Sequence, residues 1–166
     1  MKTIADETTA APARKASPGE KCFSLKNILV PIDFSEPSME ALKYSRALGV
    51  ATGSVIHAIY VQEPSAIIAD LNGIPVSVPP DCELATERGA ALDELLAKEA
   101  PQGLVYTTAS KIGYPADVIK DAAEASHADL IVISTHGRTG LKRLFFGSVT
   151  ERVIHDAACP VLVLRK

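Results

Sequence analysis

Five short apolar runs, several of them rich in β-branched residues, alternate along this chain with segments of helical spacing. Continuous apolar runs of this length are typical of strands that are buried on both faces of a sheet. The order β-α-β-α-β-α-β-α-β predicts an α/β fold in which one parallel five-stranded sheet carries helices on both faces. The runs predicted as strands are Lys26–Ile32, Ser54–Val61, Leu104–Ser110, Asp129–Ser134 and Pro160–Lys166.

Capping and breaking residues predict where the four helices begin and end. Ser35 or Glu36 is predicted to cap the first helix, with Pro37 in its first turn, where the missing N–H costs nothing. Gly49 or Gly53 is predicted to end that helix. The other helices are predicted over about 82–99, from 113–115 onward, and over about 149–157.

Length and composition favour one domain and exclude several classes of protein. The chain has 166 residues, 47% of them apolar, and its net charge of −3 gives no nucleic-acid signature. No apolar run approaches the roughly 20 residues that span a bilayer. Residues 1–24 lack periodicity, which predicts a flexible tail before a single domain over 25–166. Cys22, Cys82 and Cys159 have no metal-ligand spacing, which predicts free thiols and a cytoplasmic location.

The segment that follows the fourth predicted strand, THGRTGLKRLFFGSV, combines glycines with a basic cluster. It begins at the carboxyl end of a strand, where open α/β sheets bind ligands. Ser148 is followed three residues later by Glu151, a capping-box pattern that predicts a helix N-terminus at Gly147 and Ser148. Free N–H groups and the positive end of the helix dipole make such a terminus an anion site. The segment therefore predicts a phosphate site that includes Gly137, Arg138 and Gly140.

Each of these features also has a purely structural interpretation. Gly147 and Ser148 can simply cap a helix without binding a ligand. The cations Arg138, Lys142 and Arg143 can form a solvated surface. Phe145 and Phe146 favour a core plug over a base-stacking platform, and His136 has no Asp or Cys at a telling spacing. The phosphate interpretation rests on the coincidence of strand end, glycines, cations and capped helix within one short stretch.

Two further regions are predicted to border the same site. Asp33 ends the first predicted strand, where its carboxylate can accept hydrogen bonds from a ribose hydroxyl or an adenine amine, or else cap the next helix. The long segment over about 62–81 contains several prolines and apolar residues. It is predicted either to pack on the domain or dimer surface or to cover a bound nucleotide.

Three stretches of this sequence together resemble the universal stress protein family. They are NILVPIDFS, GYPADVI and DLIVISTHGRTGLKRLFFGSVTERVIHDAACPVLVLRK, and the resemblance covers about Lys26 to Lys166. It implies a Rossmann-like sheet with strand order 3-2-1-4-5, whose switch point lies between the first and fourth strands. It also implies a homodimer joined by pairing of the last strands, a role that the apolar run at the end of this chain fits.

The resemblance is to the ATP-binding subgroup of that family. Its members share a pattern of Gly, two residues, Gly, nine residues, then Gly and Ser or Thr, and this chain matches it except that Ser134 stands at the first glycine. The resemblance implies ATP as the ligand, with Mg²⁺ or Mn²⁺ sharing the phosphate charge. The nucleotide-binding residues expected from the motif and from the resemblance are Pro31, Asp33, Val61, Ser134, Gly137, Arg138, Gly140, Gly147, Ser148 and Val149.

Three functions are weighed for such a chain. The first is a nucleotide-dependent dimeric switch in the stress response, with slow ATP hydrolysis at most, because no general base is evident near the phosphate loop. The second is a nucleotide-free dimeric interaction module, which the replacement of the first motif glycine by Ser134 slightly favours. The third is an adenylate-forming ligase. Such enzymes have a Ser-Gly-Gly-rich loop after the first strand, whereas this chain has DFSEPS there, which contains no glycine. The client protein stays open, and neither nucleic acid nor a membrane is expected as a partner.

Overall fold

The computed structural model describes residues 24–64, 81–135 and 147–165, and these form one five-stranded sheet with four helices. The chain order alternates strand and helix throughout, as the apolar runs predicted. No helix within these three ranges is both long and apolar enough to cross a membrane. The strands are β1 (Asn27–Ile32), β2 (Val55–Gln62), β3 (Tyr106–Ile112), β4 (Leu130–Ser134) and β5 (Val161–Leu164), and the helices are α1 (Glu36–Thr52), α2 (Asp81–Glu99), α3 (Pro115–Ala125) and α4 (Ser148–Asp156).

The strands are all parallel and lie in the order β3-β2-β1-β4-β5, which confirms the expected 3-2-1-4-5 arrangement. Successive residues of β1 enter two different cores because side chains alternate across a strand. Ile28 and Val30 pack with α1 and α2, whereas Leu29 packs with α3 and α4. Helices therefore cover both faces of the sheet, as predicted.

The first helix has the predicted start and one of the two predicted ends. The Ser35 side chain caps α1 by accepting a hydrogen bond from the Ser38 N–H at 3.4 Å. Gly53 ends the helix with φ 71°, a left-handed conformation that favours glycine. The alternative end at Gly49 is wrong: Gly49 lies inside the helix, where an added Cβ would come within 2.8 Å of the Leu104 side chain.

The third strand begins two residues later than predicted. Leu104 is apolar and packs against the core, yet its N–H donates to the Pro101 carbonyl at 3.1 Å, so the chain is still turning there. The strand then continues past Ser110 to Ile112, following the length of β2. Its bounds are set by pairing with β2 and not by its own apolar residues.

The two cysteines within the described ranges, Cys82 and Cys159, are free thiols, as predicted. Cys22 lies outside the described residues, as does nearly all of the predicted tail over 1–24. Most of the long segment over 62–81 also lies outside them, so its interpretation as packing or as a cover stays a prediction.

The strands β1 and β4, at the centre of the sheet, pair only near their amino ends. Leu29 with Ile131 is their last pair, whereas the pairing of β1 with β2 continues to Ile32 with Tyr60. The carboxyl half of β1 is therefore held to the sheet from one side only.

A proline explains why this pairing stops. The Lys26 carbonyl accepts from the N–H of Val55 in β2, and the next carbonyl, that of Asn27, accepts from the N–H of Asp129 beside β4. Because backbone groups alternate in direction along a strand, the odd-numbered residues of β1 face β4. Pro31 is the odd residue after the last pair, and it has no N–H to donate. The ladder between β1 and β4 therefore loses its next donor at the place where the pairing stops.

The amino ends of the same two strands are held by a carboxylate. Asp129 Oδ2 accepts from the N–H groups of Lys26 at 2.8 Å and Asn27 at 2.9 Å. These two backbone hydrogen bonds lower the pKa of the Asp129 carboxyl below its ordinary value, because they stabilise its ionised form. The boundary between β1 and β4, here called the seam, is thus held by Asp129 at its amino end, whereas at its carboxyl end the two strands do not pair with each other.

Candidate functional site

A pocket of about 420 Å³ lies at the carboxyl ends of β1 and β4, where these two strands no longer pair with each other. Its volume is within the usual range for small-molecule sites. This is the switch point of the strand order, where β1 leads to β2 on one side and β4 lies on the other. The lining residues fall into two chemical groups. The apolar group contains Pro31, Ile59, Val61, Pro115, Ile119, Ile133 and Val149, and the polar group includes Asp33, Glu63, Ser134, Ser148 and Thr150.

The start of α4 borders the pocket but differs from the predicted capping box. Gly147, not Ser148, occupies the cap position, and within the described residues no side-chain hydrogen bond caps the helix. The Gly147 N–H donates to the Thr135 carbonyl at 2.9 Å, and the Gly147 carbonyl accepts from the N–H of Glu151 at 2.9 Å. These bonds start the helix one residue earlier than the sequence pattern suggests. Ser148 is consequently the first helical residue, and it is exposed.

The first turn of α4 therefore presents backbone donors without a competing side chain. The N–H groups of Ser148, Val149 and Thr150 precede the first intrahelical donor, Glu151. The positive end of the helix dipole lies at the same place. The N–H of Gly147 itself is already bonded to Thr135, so the donors available to an anion are those of the next three residues. This end of the pocket is suited to a phosphate group.

Asp33 both lines the pocket and organises the turn after β1. Its Oδ1 accepts from the Ser35 N–H at 3.0 Å and from the Ser35 hydroxyl at 2.5 Å. Ser35 in turn caps α1, so the two interpretations of Asp33 as ligand contact and as support of the helix cap are compatible. The carboxylate is held in place by the helix that follows it.

The residue after Asp33 was not singled out from the sequence. Phe34 has φ 62°, a left-handed conformation that is uncommon outside glycine. Its ring lies 5.7 Å from that of Tyr60, and the guanidinium of Arg88 lies 5.5 Å from its centroid. These contacts hold the backbone in a conformation that turns the chain sharply at the carboxyl end of β1.

The backbone of Val61 offers an acceptor at the opposite side of the pocket. The Gln62 carbonyl accepts from the Gly113 N–H at 2.9 Å on the β3 side, so Val61 directs its backbone groups to the β1 side. The strand β1 ends at Ile32, opposite Tyr60, so the Val61 carbonyl lies past the end of its neighbour. The described residues provide this carbonyl with no hydrogen-bond donor.

The pocket brings together seven of the ten expected nucleotide-binding residues: Pro31, Asp33, Val61, Ser134, Gly147, Ser148 and Val149. The other three, Gly137, Arg138 and Gly140, lie outside the described residues, as do His136, Lys142, Arg143, Phe145 and Phe146. Sequence reasoning missed Ile59, Ile119, Ile133 and Thr150 because each resembles an ordinary core residue. The proline of the GYP motif, Pro115, was assigned only to a helix start, although it also lines the pocket.

A family comparison decides what this fold and pocket belong to. The model of the universal stress protein family matches residues 24–165. The chain belongs to the universal stress protein family. Universal stress protein MJ0531 of Methanocaldococcus jannaschii is similar, with 38% identity over 151 residues that cover 89% of this chain and 85% of that protein. The recognition drawn from the sequence motifs is confirmed at the level of the family.

Solved structures agree with this universal stress protein in fold. The structure of MJ0577 of Methanocaldococcus jannaschii superposes with a TM-score of 0.70 at 30% identity and covers 86% of this chain and 97% of that one. A universal stress protein from Archaeoglobus fulgidus in complex with dAMP superposes with a TM-score of 0.57 at 21% identity, covering 84% of this chain and 98% of that one. The latter likeness is one of fold.

Proposed function

We propose that this universal stress protein binds ATP in the pocket between β1 and β4 and acts as a nucleotide-dependent dimeric switch in the stress response. The observation that carries the proposal is the first turn of α4, which no side chain among the described residues caps. Its N–H groups open into the same pocket as an apolar wall and the Asp33 carboxylate. An anion site beside an apolar cleft fits a phosphorylated aromatic ligand better than either phosphate or a hydrocarbon alone.

The chemistry of the walls supports one orientation of an adenine nucleotide. The base fits the apolar group of residues, where its amino group would donate to the Val61 carbonyl. The ribose hydroxyls would donate to Asp33, and the phosphates would accept from the first turn of α4. In this orientation the adenine amine, the ribose hydroxyls and the phosphates would each meet a protein group of the opposite hydrogen-bonding character.

The triphosphate would extend beyond the described part of the site. We propose that Gly137, Arg138 and Gly140 complete the phosphate contacts, with Arg138 supplying positive charge. A divalent ion, Mg²⁺ or Mn²⁺, would be held mainly by phosphate oxygens and water. The described residues bring no group of three His, Cys, Asp or Glu side chains together that could hold it alone.

A switch suits this pocket better than a rapid enzyme. Among the described lining residues the only carboxylates are Asp33 and Glu63, and Asp33 is engaged by Ser35. We propose slow hydrolysis at most, since a base with a free lone pair beside the phosphate end is what rapid hydrolysis would require.

Nucleotide titration by calorimetry tests the proposal. ATP should bind more tightly than AMP, and AMP more tightly than adenosine, because the start of α4 and the basic segment act on phosphate. GTP should bind at least about tenfold more weakly than ATP, since its carbonyl would face the Val61 carbonyl in place of the adenine amine. Mass spectrometry of nucleotide that purifies with the protein gives an independent readout. Absence of ATP binding at millimolar concentration would sink the proposal.

The alternative function, a nucleotide-free interaction module, is favoured by one residue. Ser134 lines the pocket where the family motif has glycine, so its side chain takes up space that a phosphate would otherwise have. Ser134→Gly separates the two functions. If ATP binds the native chain weakly and the glycine variant at least about tenfold more tightly, the serine opposes the ligand and the module is the better description. Equal affinities favour the switch.

A further inference from the structure

We infer that Thr150 is a positioning residue for the phosphate end of the pocket, a role that rests on the proposed nucleotide binding. Thr150 is the third residue of α4 and only 4% exposed. Thr150 also lines the pocket, but its hydroxyl proton is committed to the end of β4 and is not available to a ligand. Its effect on a ligand would therefore pass through the helix terminus that it anchors.

The anchoring contact is a single short hydrogen bond. The Thr150 hydroxyl donates to the Ser134 carbonyl at 2.8 Å. The next residue, Thr135, donates its N–H to Leu164 in β5, so the backbone of Ser134 is directed to the β1 side. There β1 and β4 are no longer paired, because their last pair is Leu29 with Ile131. The hydroxyl thus bonds to the end of β4 at the unpaired side of the seam.

A second bond holds the same turn at an adjacent point. The Gly147 N–H donates to the Thr135 carbonyl at 2.9 Å. Two consecutive carbonyls of the chain, those of Ser134 and Thr135, therefore receive donors from the two ends of the first turn of α4. One contact alone would leave the turn free to rotate about it, whereas two fix its depth and its direction against the sheet.

The residue type suits this task. Threonine is β-branched and restricted at χ1, so its hydroxyl is held towards a fixed point with little loss of side-chain entropy. The N–H groups of Ser148, Val149 and Thr150 move with the turn, and a displacement of a few tenths of an ångström weakens hydrogen bonds to a phosphate. Five of the seven apolar residues at the adenine end lie on β1, β2 and α3, and only Val149 belongs to this turn, so the adenine end depends on the turn much less than the phosphate end does.

The inference predicts a loss of affinity for ATP without a comparable loss of affinity for adenosine. Thr150→Val keeps the branched shape and removes the donor, so it should lower ATP affinity by about tenfold, the effect of losing alignment to a charged acceptor. Adenosine, which has no phosphate, should bind within about twofold of the native protein. Thr150→Ser restores a hydroxyl at the same carbon and should recover ATP affinity to within about threefold.

The matched control is Thr86→Val. Thr86 makes a similar hydroxyl-to-carbonyl bond, to Cys82 at 2.7 Å, but on the exposed surface of α2. It should leave both affinities unchanged. Thermal unfolding of every variant confirms that the protein is folded at the titration temperature.

Calorimetric titration with ATP and with adenosine decides the matter. Unchanged ATP affinity in the valine variant would refute the inference while leaving the proposed function intact. Equal losses for ATP and adenosine would also refute it, because they indicate general support of the pocket and not alignment of its phosphate end. Failure of the native protein to bind ATP would instead refute the proposed function, and the role of Thr150 with it.

Discussion

At the scale of single residues, Gly147 matters for the side chain that it lacks. Its backbone, with φ −60° and ψ 151°, is an extended conformation that any residue can adopt, so conformational freedom is not the reason for glycine here. A serine or aspartate at a cap position would accept from the N–H groups of the first turn. Glycine leaves those donors to a ligand, at a cost of a few tenths of a kcal/mol in helix stability.

We expect Gly147→Asp to separate helix stability from nucleotide binding. The new carboxylate would cap α4 and repel phosphate, so ATP affinity should fall by more than about tenfold. The free energy of unfolding should change by less than about 1 kcal/mol, because the added cap offsets crowding of the new Cβ, 3.3 Å from the Thr135 carbonyl. Urea unfolding and calorimetry check the two effects. If the folded variant bound ATP as tightly as the native protein, the N–H groups at the start of α4 would not be the phosphate donors expected here.

The sequence predicted a helix start at this place but not the atomic arrangement of its cap. A Ser-x-x-Glu pattern at Ser148 is a good predictor of a helix start, and the helix does start there. What the pattern omits is the bond from Gly147 to Thr135, which joins residues on either side of a long segment. A tertiary contact of this kind leaves no local signal, so the cap was predicted one residue too late.

At the scale of elements, the carboxylate of Asp129 ties the starts of β1 and β4. Its pKa is lowered in the folded state by the N–H groups of Lys26 and Asn27. A lowered folded pKa means that this stabilisation is present above the unfolded value, about 3.9, and is lost as the pH falls through the folded value. The tie therefore holds at neutral pH and weakens only in acid.

We expect Asp129→Asn to flatten the acid end of the stability profile. The amide keeps one oxygen acceptor but carries no charge, so the variant should be less stable than the native protein at pH 7. The difference should shrink as the pH falls from about 5 towards 3, where the native carboxylate takes up a proton. Urea unfolding across that range measures it, with Asp121→Asn on the exposed face of α3 as the control. Parallel profiles for the native protein and Asp129→Asn would exclude this tie as a source of acid sensitivity.

Element identity was predicted well and element ends less well. Apolar runs and capping residues gave every strand and helix in the right order, because burial on both faces demands continuous apolar sequence. The start of β3 and the role of Gly49 could not be read in this way. The role of Gly49 depends on its packing against Leu104, and the bounds of β3 depend on pairing with β2. Both contacts join residues that are far apart in the chain.

At the scale of the whole molecule, β5 is an edge strand of the described sheet. All four of its residues are half-buried, and within the described ranges β5 pairs only with β4. Leu164 accepts from Thr135 on the β4 side, so Val161 and Val163 direct their backbone groups to the open edge. We propose that two copies pair antiparallel here across a two-fold axis, because an unpaired apolar edge is a liability.

Val163→Pro tests this assembly without disturbing the sheet of one protomer. The proline removes an N–H that points outward and leaves the bonds to β4 intact, so the variant should be a folded monomer. Val163→Thr keeps the N–H and should remain dimeric. Light scattering at micromolar concentration gives the mass of each. A native monomer would exclude the proposed dimer, and a dimeric proline variant would place its interface elsewhere.

The proline within β1 has a mechanical consequence for the molecule. The sheet consists of two leaves, β3-β2-β1 and β4-β5, joined along a line that ends at Leu29 and Ile131. On one face α1 packs against both β1 and β4 and keeps the leaves together. We expect a small rotation of the two leaves about this line to change the width of the cleft without breaking any strand pair.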